Sequence, residues 1–261
     1  GHVSAVQLMN NRLLDFLAPT GLGLVCLAIG LSLFQLWQPV VGFFPPGVIP
    51  FEKILGLLPA TYFRPAHLAW ILVLGLFYYP LGERTAHRLL DLFLAAVLIW
   101  SVLRVLQFDY QSLDHLLNGL STLDFFAGMV IIFVTLEVAR RSVGMIMTLV
   151  GLTFILYSLY GNYLPDVVAS KGFSVERMVR FQIFTNAGLF GAPLGIAAGA
   201  VFGFVLFGAF LQTTGAGKFL IDLSFALAGR YRGGPAKASV IASAAMGSIS
   251  GSAIANTRTR K

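Results

Sequence analysis

The sequence predicts an all-α, polytopic integral membrane protein, with about six transmembrane helices plus the start of a re-entrant hairpin. Three observations carry that expectation. Hydrophobic residues make up 57% of the 261-residue chain and charged residues only 11%, where a soluble domain carries about 25% charged residues. The mean hydropathy is +0.82, so the chain has too little polar surface to cover a water-soluble globule. Apolar runs recur at lengths near the ~20 residues a helix needs to cross ~30 Å of hydrocarbon. None of them alternates with the period of two that a barrel strand requires.

Six runs read as spans: residues 16–36, 66–81, 89–106, 123–138, 143–160 and 191–212. A proline-rich stretch, "QPVVGFFPPGVIPFEKILGLLPATYFRP", separates the first two and reads as an external loop with a short interfacial helix. Basic residues orient the spans. With the N-terminus in the cytoplasm, nine fall on the cytoplasmic side (Arg12, Arg84, Arg88, Arg140, Arg141, Lys218, Arg230, Arg232 and Lys237). Five fall opposite: Lys53, Arg64, Lys171, Arg177 and Arg180. That bias obeys the positive-inside rule. The loop 109–122 holds acids and no Lys or Arg, which places it outside. The net charge of +7 is therefore an orienting charge rather than a nucleic-acid footprint, because the cations cluster between apolar runs.

Residues 171–184 read as an amphipathic helix lying on the outer surface. Val175, Met178, Val179 and Phe181 recur at helical spacing between Arg177 and Arg180. Ser174 is its cap, with Arg177 where a capping box wants Glu. Past the sixth span, "KFLIDLSFALAG" is too short to cross and carries both Lys218 and Asp222. It reads as a short helix at the cytoplasmic interface, stopped by Gly229. "RYRGGPAK" is then a basic turn, and the chain re-enters apolar sequence as "ASVIASAAMGSISGSAIAN".

That last segment admits two readings. Gly247 and Gly251 form a GxxxG pair, which suits an ordinary, closely packed membrane helix. Alternatively the segment is a hairpin that stops at mid-membrane. A helix broken inside the bilayer frees carbonyls, tolerated only where they are buried or line a polar cavity, and transporters bind ions and solutes at such breaks. Ser248, Ser250 and Ser252 would supply hydroxyl oxygens, and Gly251 a backbone free to turn its carbonyl toward an ion. Sodium is a hard cation that takes oxygen ligands, as calcium and magnesium do. The segment has no carboxylate, which argues against a tight divalent site. Asn256 adds an amide near the tip and is the candidate solute-binding residue.

These residues carry a resemblance. "FGAFLQTTGAGKFLIDLSFALAGRYRGGPAKASVIASAAMGSISGSAIAN" resembles the first part of the large membrane subunit of TRAP transporters, the tripartite ATP-independent periplasmic family. "SISGSAIAN" is the most specific part. "LEVARRSVG" and "FGAPLGIAAGAVFGFVLFGAFL" are similar to the TAXI-type subgroup, whose small and large membrane subunits are fused. The resemblance implies a sodium-coupled elevator in the bacterial inner membrane. It would import a small organic solute delivered by a periplasmic solute-binding protein. Residues 1–142 would be a small-subunit-like four-helix scaffold and residues 143–261 the N-terminal part of the large transport subunit. The tail "TRTRK" departs from the family's apolar continuation, so the expectation is either a chain truncated after Asn256 or an unrelated tail.

Other residues point away from further chemistry. Asp91 and Arg104 fall near the ends of the third span and read as snorkelling interface charges. Glu137 with Arg140 and Arg141 reads as a cytoplasmic surface cluster at i+3 and i+4. His2, His67, His87 and His115 show no ligand spacing, and Cys26 is the single cysteine, so no cofactor is expected beyond the coupling sodium. No Ser-His-Asp set or phosphate-cradling GxxxxGK[ST] motif is present, which argues against an enzyme and against ATP hydrolysis. The competing function class is a membrane scaffold without transport activity of its own. The expected partners are the binding protein, the solute and membrane lipid.

Overall fold

The computed structural model describes residues 21–45, 56–82, 85–110, 112, 117–228 and 233–249. Every regular element among them is helical: α1 (Leu22–Val41), α2 (Ala60–Tyr78), α3 (Thr85–Leu106), α4 (Thr122–Ser142), α5 (Met145–Tyr160), α6 (Val175–Ile183), α7 (Ala192–Thr213), α8 (Ala216–Ala228) and α9 (Gly234–Ile249). Helices α1 to α5 and α7 are each long and apolar enough to cross a bilayer. The chain is thus a multi-pass, all-helical membrane protein, as the sequence predicts.

Span ends shift for identifiable reasons. The second helix begins at Ala60 rather than at residue 66 and carries Pro65 inside it. The first runs on to Val41 rather than residue 36, through Pro39. Its two glutamines can stay inside because both find partners: Gln35 meets His67, and Gln38 Oε1 accepts the Leu58 amide at 2.9 Å. Ser121 caps α4 reciprocally. Its hydroxyl accepts the Asp124 amide at 3.2 Å and donates to Asp124 Oδ2 at 2.6 Å. Between α4 and α5, Gly144 takes φ +112°, which side chains rarely adopt, and so reverses the chain within a single short link.

The core lies where α2, α3, α4 and α6 meet. Leu68, Leu72 and Leu76 of α2, Leu98, Val102 and Val105 of α3, and Ile131, Val134 and Val138 of α4 present buried stripes at helical spacing. Two glycines allow close approach. A Cβ on Gly75 would fall 2.6 Å from Val138 Cγ1, and one on Gly128 would collide with Val179 of α6.

That second contact corrects the reading of residues 171–184. Ser174 does cap the helix, accepting the Arg177 amide at 3.3 Å. But Met178, Val179 and Ile183 are buried against the α4 side of the core, so that face of α6 is covered by protein, while Val175 and Phe181 stay exposed. Glu176 fixes the other edge, where its Oε1 accepts the Leu120 amide at 2.9 Å.

Helix α7 is interrupted. Its segments Ala192–Ile196 and Phe202–Thr213 are α-helical, and the Ala197–Val201 turn between them is a π-helix. On one side α7 touches α1 and α2, and on the other α8 and α9.

Candidate functional site

The segment singled out for ion binding follows, in the sequence, a pair of packed helices. Helix α8 covers most of "KFLIDLSFALAG", as expected. The link to α9 includes Gly233 at φ +75°, a left-handed position suited to glycine. The two helices meet through small side chains: Ser224, Ala228, Ala238 and Ala242 are all buried. Ser224 satisfies its hydroxyl internally by donating to the Leu220 carbonyl at 2.7 Å, so a polar residue can sit in the seam without an orphan donor.

Helix α9 then continues without interruption through Gly247 and Ser248 to Ile249. Of the predicted ion ligands, Ser248 therefore occupies the last helical turn. Ser250, Gly251, Ser252 and the solute candidate Asn256 lie outside the described residues. Among the described residues, no cluster of three or more His, Cys, Asp or Glu side chains is placed to hold a metal.

The structure assembles a second set of polar residues; it bears out the i+3 and i+4 pairing of Glu137 with Arg140 and Arg141 and overturns the reading of Asp91 as an interfacial charge. Asp91 is 1% exposed and does not snorkel. Its Oδ1 accepts from Arg141 Nη1 at 2.6 Å and its Oδ2 from the Leu81 amide at 3.2 Å. Arg141 is itself buried and donates through Nε to Glu137 Oε1 at 2.7 Å. Arg140 completes the group, forking onto both Glu137 oxygens at 2.8 Å. What read as a surface cluster on α4 is a chain of paired charges that reaches into α3. At the other end of the same helix pair, Arg104 donates to Asp124 Oδ1 through Nη2 at 2.7 Å and Nε at 3.1 Å. The acid near the start of each helix meets the base near the end of the other, so the two pairs fix α3 and α4 antiparallel.

Further polar contacts join α7 to the N-terminal helices. Arg64 of α2 donates to the Phe190 carbonyl at 2.8 Å, and its guanidinium lies against Gly195 of α7, where a Cβ would fall 2.9 Å from Nε. His67 and Gln35 are buried and bonded to each other between α2 and α1, and the His67 ring meets the Phe202 edge at 6.0 Å just past the π-turn. Among the described residues, Gln35 Oε1 finds no hydrogen-bond partner. Sequence reasoning missed these residues. A lone histidine and a lone glutamine in apolar runs carry no spacing signal, and the π-turn falls in "AAGAV", whose composition suits an ordinary helix.

Spanning helices with paired intramembrane charges and a small-residue hairpin define a multi-pass integral membrane protein. Comparison with known families goes one step further. The family model for the tripartite ATP-independent periplasmic transporter, DctM component, matches residues 130–260, and the chain belongs to that family. This is a family of transporter components rather than of enzymes. Neither the curated proteins nor the solved structures give a match.

Proposed function

We propose that the chain is the membrane component of a sodium-coupled secondary transporter, of the TAXI type, that imports a small organic solute delivered by a periplasmic solute-binding protein. The observation that carries this reading is the family match, which runs across the whole of "SISGSAIAN". In this reading the protein sits in the bacterial inner membrane with its N-terminus in the cytoplasm. Residues 1–142 act as scaffold, and residues 143–261 begin the transport subunit.

The ion would be held by oxygens of Ser248, Ser250, Gly251 and Ser252, with Asn256 turned toward the solute. Helix geometry supports the depth of this site. From Lys237, a natural surface anchor, to Ser250 is about 20 Å along a helix at 1.5 Å per residue. On a helix continued that far the serines would lie within ~30 Å of hydrocarbon, where bulk water could not replace a missing ligand. The donor chemistry also fits. Hydroxyls and peptide carbonyls are hard and neutral, which suits a monovalent ion that must bind and leave in each cycle.

The test is sodium-activated uptake in proteoliposomes with the binding protein and its solute present. Ser250→Ala and Ser252→Ala should each raise the sodium concentration for half-maximal uptake by about tenfold, the equivalent of one lost hydrogen bond to a charged group at ~1.5 kcal/mol. Expression should be unchanged, because alanine preserves close helix approach. Unaltered sodium activation in both variants would return the segment to a packing role.

A further inference from the structure

The loop between α5 and α6 turns apolar side chains outward. We propose that the α5–α6 loop is a rigid anchor whose apolar tip, Tyr163, Leu164 and Val167, sits in the headgroup–acyl boundary of the membrane at the α5 end. This rests on the protein's being membrane-embedded and not on the transport reading.

The first observation is that the loop is closed and built. The Phe173 amide donates to the Ser158 carbonyl at 2.8 Å and the Ser170 amide to the Gly161 carbonyl at 3.0 Å, so the two ends are pinned together. The Tyr157 hydroxyl reaches the Val168 carbonyl at 3.0 Å, and the Val168 amide closes a turn on Pro165 at 2.9 Å. Gly161 and Gly172 are required by this closure. A side chain on Gly161 would collide with Ser170, and Gly172 takes φ +63° with Asn162 Oδ1 2.9 Å from where its Cβ would be. A loop bonded in this way holds its tip in one shape.

The second observation is what that tip displays. Val167 is 96% exposed and Tyr163 80%, with Leu164 and Val168 also exposed. A loop meant for water has no reason to fix aliphatic side chains outward. Lipid is the occupant that the surroundings select. The loop continues directly from α5, a spanning helix that leaves Ile146, Leu149, Phe154 and Leu156 exposed on more than one side. Tyr157, Tyr160 and Tyr163 follow at intervals of three, carrying an aromatic series from the helix end into the loop. Tyrosine has an apolar ring and a polar tip, and it concentrates where hydrocarbon gives way to headgroups. Asp166, between Leu164 and Val167, and Lys171 beyond them both stay exposed, as charges at headgroup depth require. The core contact of α6 therefore fixes the loop from the protein side, and the tip fixes it from the lipid side.

The single cysteine makes the test direct. In a Cys26→Ser background, Val167→Cys is labelled with bimane and the protein is reconstituted into phosphatidylcholine vesicles. Phosphatidylcholine bearing a nitroxide at the headgroup or at carbon 5 should lower the emission by about half or more, with less effect from a nitroxide at carbon 12 and from aqueous iodide, as expected of a group lying ~5–10 Å into the boundary. Quenching by iodide but not by the lipid-borne nitroxides would place the tip in water and overturn the proposal. Protection from both would place it under protein and overturn it equally.

Discussion

Replacing Asp91 by Asn removes one charge from the buried chain that joins α3 to α4 and keeps the volume. In the native protein both carboxylate oxygens are used, one by Arg141 and the other by the Leu81 amide. Asparagine offers a single oxygen, so its NH2 group must face one of two donors. Arg141, with its side chain only 4% exposed, then loses its best partner and retains Glu137 and a 3.3 Å contact to the Tyr79 carbonyl. Removing one member of a buried pair costs ~3–5 kcal/mol when nothing compensates. With Glu137 still in place, we expect about 3 kcal/mol, or a fall of about 6–12 °C in Tm for a chain of this size.

The assay is thermal unfolding of the detergent-solubilised protein, followed by size-exclusion fluorescence. Arg140→Ala is the internal comparison. Arg140 belongs to the same network, but its side chain is about one-third exposed, and among the described residues its ion-pair partner is Glu137 of its own helix. Solvent screens such a pair, so its loss should move Tm far less. The double variant Asp91→Leu/Arg141→Met should recover most of the loss, because replacing a buried ion pair by apolar groups of similar size is often neutral or better. Equal effects of Asp91→Asn and Arg140→Ala would refute the reasoning. So would a double variant less stable than Asp91→Asn, because the burial of an unpaired charge would then not be the cause.

Two other substitutions test the packing. Gly128→Val places a side chain where Val179 now lies, and Val179 is β-branched and cannot swing aside. The expected cost is about 1–3 kcal/mol from overpacking, with α6 becoming accessible to protease while the spanning helices stay protected. His67→Leu alone should destabilise by about 1–3 kcal/mol, because it strands the buried Gln35 amide, whereas Gln35→Leu/His67→Leu removes both polar groups and should be nearly neutral in the same thermal assay.

Much of this protein is determined locally. Six spanning segments and the cap at Ser174 follow from hydropathy, length and backbone preference within one or two turns of the chain. The helix over "KFLIDLSFALAG" and the small-residue seam of the hairpin are legible in the same way, and so is the resemblance carried by "SISGSAIAN", since a motif is by definition contiguous. What the tertiary structure decided is which polar groups meet. Arg141 is 50 residues from Asp91, and Arg104 is 20 from Asp124, so no pattern in either helix reveals that its charge has a partner. A charge near the end of an apolar run looks the same whether it will reach for water or for another helix. Helix α6 shows the same limit: its periodicity states that one face is apolar, but only the glycine gap at Gly128 on α4 decides that protein, not lipid, covers that face. Burial depends on what another part of the chain brings into contact, and one-dimensional periodicity does not contain that information.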